Sequence, residues 1–226
     1  MKIDIITYLP AYFKPLELSL IAKAFKNKII DINVIDLHDF GIGIHKSVDD
    51  TPYGGGSGMI LRPDVAQKAI DSVIKPDSVL IIPTARGYQY KQTDAKKLSK
   101  IKHLVFLNSR FEGYDERIVD YYAKANHEVL QYSIGDYILF GSEVATLVIL
   151  ESAVRLIPGV LGNSESLTEE SLVENLLEYD SYTRPRVWQN LVVPEVLVNG
   201  NHKKIVQYRK DNSICRTKKF RPDLTS

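Results

Sequence analysis

Five short runs rich in β-branched and apolar residues recur along the first two thirds of the chain: "KIDIITYL" (2–9), "DINVIDL" (31–37), "SVLIIP" (78–83), "HLVFLN" (103–108) and "EVLQY" (128–132). Runs of that length suit strands, because branched side chains pack well on a pleated surface. Stretches of helical period separate them. Residues 15–25 carry Leu16, Leu20, Ile21, Ala24 and Phe25 on one side. A helix is predicted from Pro63, a residue suited to the first helical position, turning Val65, Ala66, Ala69, Ile70 and Val73 inward. Residues 94–100, 115–124 and the long apolar 142–157 complete the set. This alternation predicts an α/β fold with a mostly parallel sheet covered on both faces.

The pattern stops after "RLIPGVLGN". Residues 163–174, "NSESLTEESLVE", are polar, acidic and serine-rich, as a flexible connector or lid would be. The expected organisation is therefore a large domain over 1–162, a linker or lid over 163–174, and a small, mainly helical domain over 175–226. The net charge is only +1, from 29 Lys and Arg against 28 Asp and Glu, so any nucleic-acid surface must be local. Ten Lys or Arg between Arg184 and Arg221 supply one. Cys215 is the single cysteine, which excludes an intramolecular disulfide framework and suits a reducing cytosol. The apolar N-terminus is interrupted by Asp4 and Pro10, and no later segment reaches about 18 uncharged apolar residues. A soluble cytoplasmic protein without a membrane span is expected.

Ligands of open α/β sheets collect beyond the carboxyl ends of the strands. Three successive predicted strands run into unusual loops there: "PTARG" (83–87), "NSRFEGYDER" (108–117) and "SIGDYILFGSE" (133–143). Gly113, Gly135 and Gly141 would let a ligand approach the backbone closely. No phosphate-loop or dinucleotide fingerprint is present, and the five histidines are scattered without metal-ligand spacing, so no metal site is expected. One further stretch, "DDTPYGGGSGM" (49–59), places four glycines beside two carboxylates, a Pro and a Tyr.

That stretch, followed in order by "SRFEGYDERI", "SIGDYILFGSE", "RLIPGVLGN", "YTRPRVW", "VPEVLVNGNHKKI" and "RPDL", resembles the bacterial tRNA (guanine-N1-)-methyltransferase family over nearly the whole chain. The resemblance implies a knotted methyltransferase of the trefoil-knot, or SPOUT, class, with the C-terminal part of the sheet threaded into the knot. It also implies a homodimer with a composite active site, tRNA as partner, and S-adenosyl-L-methionine as methyl donor, with a divalent ion such as Mg²⁺ assisting. The activity implied is methylation of N1 of the guanosine immediately 3′ of the anticodon. Cofactor contacts carried over by motif are Pro83, Ser109, Phe111, Glu112, Ile134, Gly135, Tyr137, Leu139, Gly141 and Ser142. Glu112 would face the cationic end of the cofactor, the competing role being a salt bridge to Arg110 or Arg117. Asp49 would lie near the target base in the partner's site, and Arg155 near the catalytic carboxylate. The general base falls on Glu170, where the family has Asp. The two reference pKa values differ by only about 0.4, and Glu169 is the neighbouring alternative.

Several positions depart from the family pattern. Ser109 and Ser142 stand where it has glycine, residues 119–132 form a longer segment than expected, and the chain stops soon after "RPDL", which would leave a minimal RNA-binding domain. Two other readings compete: an RNA-binding protein of the same fold with weak or lost turnover, and a knotted ribose 2′-hydroxyl methyltransferase. "YTRP" and "GNH" speak against the latter.

Overall fold

The computed structural model describes residues 1–162, 172 and 175–225. Its contacts divide the chain into two units, Met1–Gly162 and Asn163–Ser226. The expected linker, and Glu169 and Glu170 within it, lie outside the described residues apart from Leu172.

The first unit is built on a five-stranded parallel sheet in the order β2-β1-β6-β5-β7. Its strands are β1 (Lys2–Thr7), β2 (Asp31–Asp36), β5 (Val79–Gln89), β6 (His103–Leu107) and β7 (Glu128–Ser133). Side chains of a strand alternate between faces, and the core follows that rule. Ile3, Ile5, Val79, Ile81, Leu104 and Phe106 pack on one face with helices α1 (Ser19–Lys26), α3 (Gln92–Leu98) and α5 (Glu143–Val154). Ile6, Leu80, Ile82, Val105 and Leu107 pack on the other with α2 (Pro63–Asp71) and α4 (Arg117–Lys124). Burial on both faces explains why these strands read as continuous apolar runs.

Two expected elements differ. The predicted helix over 15–25 is a 3₁₀ segment, Pro10–Glu17, and then α1, because Leu18 is extended and Ser19 takes φ 54°. The break changes the helical phase, so Leu20 and Phe25 are exposed while Leu16 and Ala24 are buried. The predicted loop "PTARG" lies inside β5: pairing with β7 is interrupted after Pro83 and resumes at Tyr88, opposite Tyr132. A Cβ on Gly87 would lie 2.5 Å from the Gln131 carbonyl carbon, so a side chain there could not enter the ladder.

The glycine-rich stretch is the loop of a short hairpin between β3 (Asp49–Asp50) and β4 (Ile60–Leu61). Gly54, Gly55, Gly56 and Gly58 all have positive φ, a conformation glycine adopts without steric cost. Tyr53 at its tip is 99% exposed.

The second unit contains α6 (His202–Phe220), capped by the Asn201 side chain, which accepts from Lys204 N at 3.2 Å. Asp180 accepts from Asn212 Nδ2 at 3.0 Å and pairs with Arg216. Strands β8 (Val187–Trp188) and β9 (Leu191–Val192) form a hairpin. Gln189 and Asn190 between them both have positive φ, as a type I′ turn requires. Lys203, Lys204, Lys210, Lys218 and Lys219 are exposed on α6. Among the described residues no helix is long and apolar enough to cross a membrane.

At the amino ends of the strands a buried polar chain ties the sheet together. Asp4 Oδ2 lies 2.6 Å from His103 Nε2, and His103 Nδ1 lies 2.7 Å from Ser78 Oγ. Ser78 Oγ accepts from Lys75 N, so its proton is directed to Nδ1 and the ring proton to Nε2. Asn33 Nδ2 donates to Asp4 Oδ1 at 2.9 Å, and Lys2 pairs with Oδ2 at 2.8 Å. Ser, His and Asp are in hydrolase order, but Ser78 is enclosed at the end of the sheet opposite the ligand loops, which assigns the chain to architecture.

Burial would raise the Asp4 carboxyl, but hydrogen bonds from Lys2, Asn33 and His103 outweigh it and hold the group below its ordinary value. A carboxylate depressed in the folded state stabilises above its unfolded pKa, near 4, and that stability is lost as pH falls through the lower folded value. Asp4→Asn should cost about 1–3 kcal/mol at neutral pH by misplacing a donor against His103. It should also flatten the decline in urea midpoint below about pH 4.

Candidate active site

Beyond the carboxyl ends of β5, β6 and β7 lies a cavity of about 300 Å³. All ten residues expected to contact the cofactor line it: Pro83 at the bulge of β5; Ser109, Phe111 and Glu112 after β6; Ile134, Gly135, Tyr137, Leu139, Gly141 and Ser142 after β7. Thr84, Arg86, Arg110, Ile138 and Phe140 join them. Within the expected ligand loop 83–87 the motifs single out Pro83 alone; Thr84 and Arg86 follow it in a bulge that depends on pairing with a strand some forty residues on.

The loops after β6 and β7 clasp one another. Arg110 and Gly141 form an antiparallel bridge, and Ser142 N donates to Ser109 O at 3.1 Å. A Cβ on Gly141 would fall 2.4 Å from Glu143 Oε2 and 3.0 Å from Arg110 Cγ, which accounts for glycine at that position. Gly135 has φ +154°, and Phe111 is held at φ 54° with its ring 64% exposed toward the cavity. The Ser142 hydroxyl, where the family has hydrogen, accepts from Ser109 N at 2.9 Å, and Thr146 Oγ1 reaches Asn108 Oδ1 nearby at 2.7 Å. Ser142 is therefore absorbed into the clasp.

Arg110 Nη1 pairs with Glu143 Oε2 at 3.1 Å, and Glu143 Oε1 accepts from Thr7 Oγ1 at 3.3 Å. Arg117 pairs with Asp115 at 2.7 Å. Both arginines weighed as partners for Glu112 are thus engaged elsewhere. Glu112 instead lies against the glycine hairpin: its N donates to Met59 O, and a Cβ on Gly58 would sit 2.5 Å from its Cγ. Close approach to Glu112 is what the last glycine of that stretch permits.

Of the residues expected to act in catalysis, the two that are described, Asp49 and Arg155, do not line this cavity. Asp49 lines a second one, of about 400 Å³, with Tyr8, His38, His45 and Lys46. Arg155 closes the far end of α5, whose twelve residues separate it by about 18 Å from the cavity at the helix start. Glu170 lies outside the described residues. Among the described residues no three His, Cys, Asp or Glu side chains are grouped to hold a metal.

The cavity suits an extended, partly cationic ligand with a flat ring: backbone amides and carbonyls at the glycines, apolar walls from Phe111, Ile138 and Leu139, and the carboxylate of Glu112, while the lining Arg86 and Arg110 are paired with Glu116 and Glu143. The family model for tRNA (Guanine-1)-methyltransferase TrmD matches residues 1–226. A tRNA (guanine-N(1)-)-methyltransferase of Renibacterium salmoninarum is 46% identical, covering 99% of this chain and 86% of its own. Those of Nocardia farcinica and Rhodococcus jostii are each 44% identical over 99% of this chain, covering 96% and 99% of their own. With its whole length matched by the family model and by relatives 44% and 46% identical, the chain belongs to the tRNA (Guanine-1)-methyltransferase TrmD family.

Proposed function

We propose that this protein methylates N1 of the guanosine immediately 3′ of the anticodon of tRNA, using S-adenosyl-L-methionine held in the cavity beyond β5, β6 and β7. The observation that carries the reading is the convergence in one cavity of all ten residues matched to the family's cofactor motifs. When bound, the cofactor supplies a methyl group on a cationic sulfur, open to in-line displacement. The chain's own part is alignment and proton removal. Backbone at Ile134, Gly135 and Leu139 holds the ligand, Phe111 and Ile138 shed water from it, and Glu112 opposes its positive charge. Glu170 takes the proton from guanine N1, with Arg155 beside that carboxylate. A divalent ion such as Mg²⁺, implied by the family, would assist through phosphates and water rather than a dedicated protein cage.

Knot and dimer belong to the same reading. The segment after β7 is bonded back to the loop after β6, across β5, as threading of the chain would require. Arg155, at the far end of α5, lies away from the cofactor cavity of its own chain, so a site that needs both is completed by a partner subunit. Val144 and Val148 on the outer face of α5, with Ile138 and Phe140 beside it, are exposed apolar residues available for that contact. The protein then acts in the cytoplasm, where tRNA is modified, and the basic face of α6 holds the RNA.

Labelled methyl transfer to tRNA transcripts tests the activity: product should form with the target guanosine and vanish when it is adenosine. Tight tRNA binding without transfer would favour the RNA-binding reading instead. Glu170→Ala should lower kcat about 100- to 10,000-fold with cofactor affinity unchanged, while Glu170→Asp retains activity. Loss on Glu169→Ala instead would move the base by one residue. Light scattering at micromolar concentration should give twice the chain mass, and Val144→Glu with Val148→Glu should give an inactive monomer. Replacing Lys203, Lys204, Lys218 and Lys219 by Ala should weaken tRNA binding and reduce its salt slope by about 0.7–0.9 per lost phosphate contact.

A further inference from the structure

The carboxyl edge of the sheet carries two cavities side by side. The second lies beyond β2, β1 and β6 and shares Arg110 and Phe111 with the cofactor cavity as a common wall. Tyr8, the first residue after β1, lines it. The side chain is only 6% exposed, and its ring meets His38 and Phe111 edge-on, at 6.1 and 6.2 Å between centroids. Its hydroxyl is buried and has no hydrogen-bond partner among the described residues. An unpaired buried hydroxyl costs about 1–3 kcal/mol, a penalty that phenylalanine would avoid.

Asp49 and Glu143 are the charges that bear on the phenol; Asp49 lines the second cavity, and Glu143 is paired with Arg110 on its wall. Burial first, and then these carboxylates, raise the phenol pKa well above its ordinary value. The group is therefore a neutral donor throughout the physiological range. Lys46 and Arg110 on the lining are paired with Asp39 and Glu143, and two carboxylates bear on the phenol, which disfavours a phosphate at this point. Aromatic edges from Phe111 and His38, a donor at Tyr8 and an acceptor at Asp49 together suit a flat, neutral heterocycle with hydrogen-bonding groups on its rim.

We propose that the second cavity receives a nucleobase of the bound RNA and that the Tyr8 hydroxyl donates a hydrogen bond to it, making Tyr8 a positioning residue for the acceptor. The inference rests on the tRNA reading above. Cofactor and base then approach one another at Arg110 and Phe111, the residues that line both cavities.

Tyr8→Phe deletes the hydroxyl alone, and its effect is read as the dissociation constant of an anticodon stem-loop RNA, as well as in kinetics. Binding does not need turnover, so this readout stands even where methylation fails. The expected result is a rise of about 2- to 10-fold in that dissociation constant and in KM for tRNA. Salt slope, cofactor affinity and kcat should stay unchanged, and urea stability should be equal or higher. An unchanged RNA affinity would overturn the proposal and leave the hydroxyl to water. Weakened cofactor binding with intact RNA binding would assign the second cavity to the cofactor. A shallower salt slope would replace the nucleobase by a phosphate.

Discussion

The clasp between the loops after β6 and β7 is the constraint on which the rest of the ligand-binding end depends. Both loops leave strands that flank β5, and neither has regular structure to hold it. Asn108 and Ser109 on one side meet Ser142 and Thr146 on the other, and Arg110 meets Glu143 at the start of α5. Glu143 is 1% exposed, so its charge has lost most of its hydration; Arg110 and Thr7 replace it. Removing one partner of such a pair strands the other, at about 3–5 kcal/mol. The clasp fixes the start of α5, the wall of the cofactor cavity and, through Arg110, the wall of its neighbour.

How far the fold was legible follows from which interactions are local. Continuous burial in β1, β6 and the first half of β5 is written residue by residue, because each strand is covered on both faces. The break at Leu18 and Ser19 was not legible: helical period continues across it, and only the backbone angles reveal the restart. The bulge that carries Thr84 and Arg86 was hidden for a different reason, since it depends on register with β7. Site residues carried by the order of motifs converge in space, whereas nothing in the sequence set apart Tyr8, whose neighbours come from three distant loops.

Two cavities sharing one thin wall give the molecule a division of labour. The cofactor side is built from backbone at glycines and tolerates only small side chains where the loops cross. The other side is built from side chains, Tyr8, His38, His45, Lys46 and Asp49, which can differ without disturbing the clasp. Phe111 belongs to both and is held in a left-handed conformation that a non-glycine residue adopts at some cost.

The parallel order of the sheet also bears on how the chain emerges from the ribosome. Strand β1 lies between β2 and β6, and its Asp4 is satisfied by His103, 99 residues away. Leu107, which ends β6, follows Asp36, which ends β2, by 107 − 36 = 71 residues. At about 5–20 residues per second, the nascent β1 waits roughly 4–14 s with one edge unpaired and a buried carboxylate lacking its histidine. During that interval β1 presents an unpaired apolar edge, which closes only when β6 arrives.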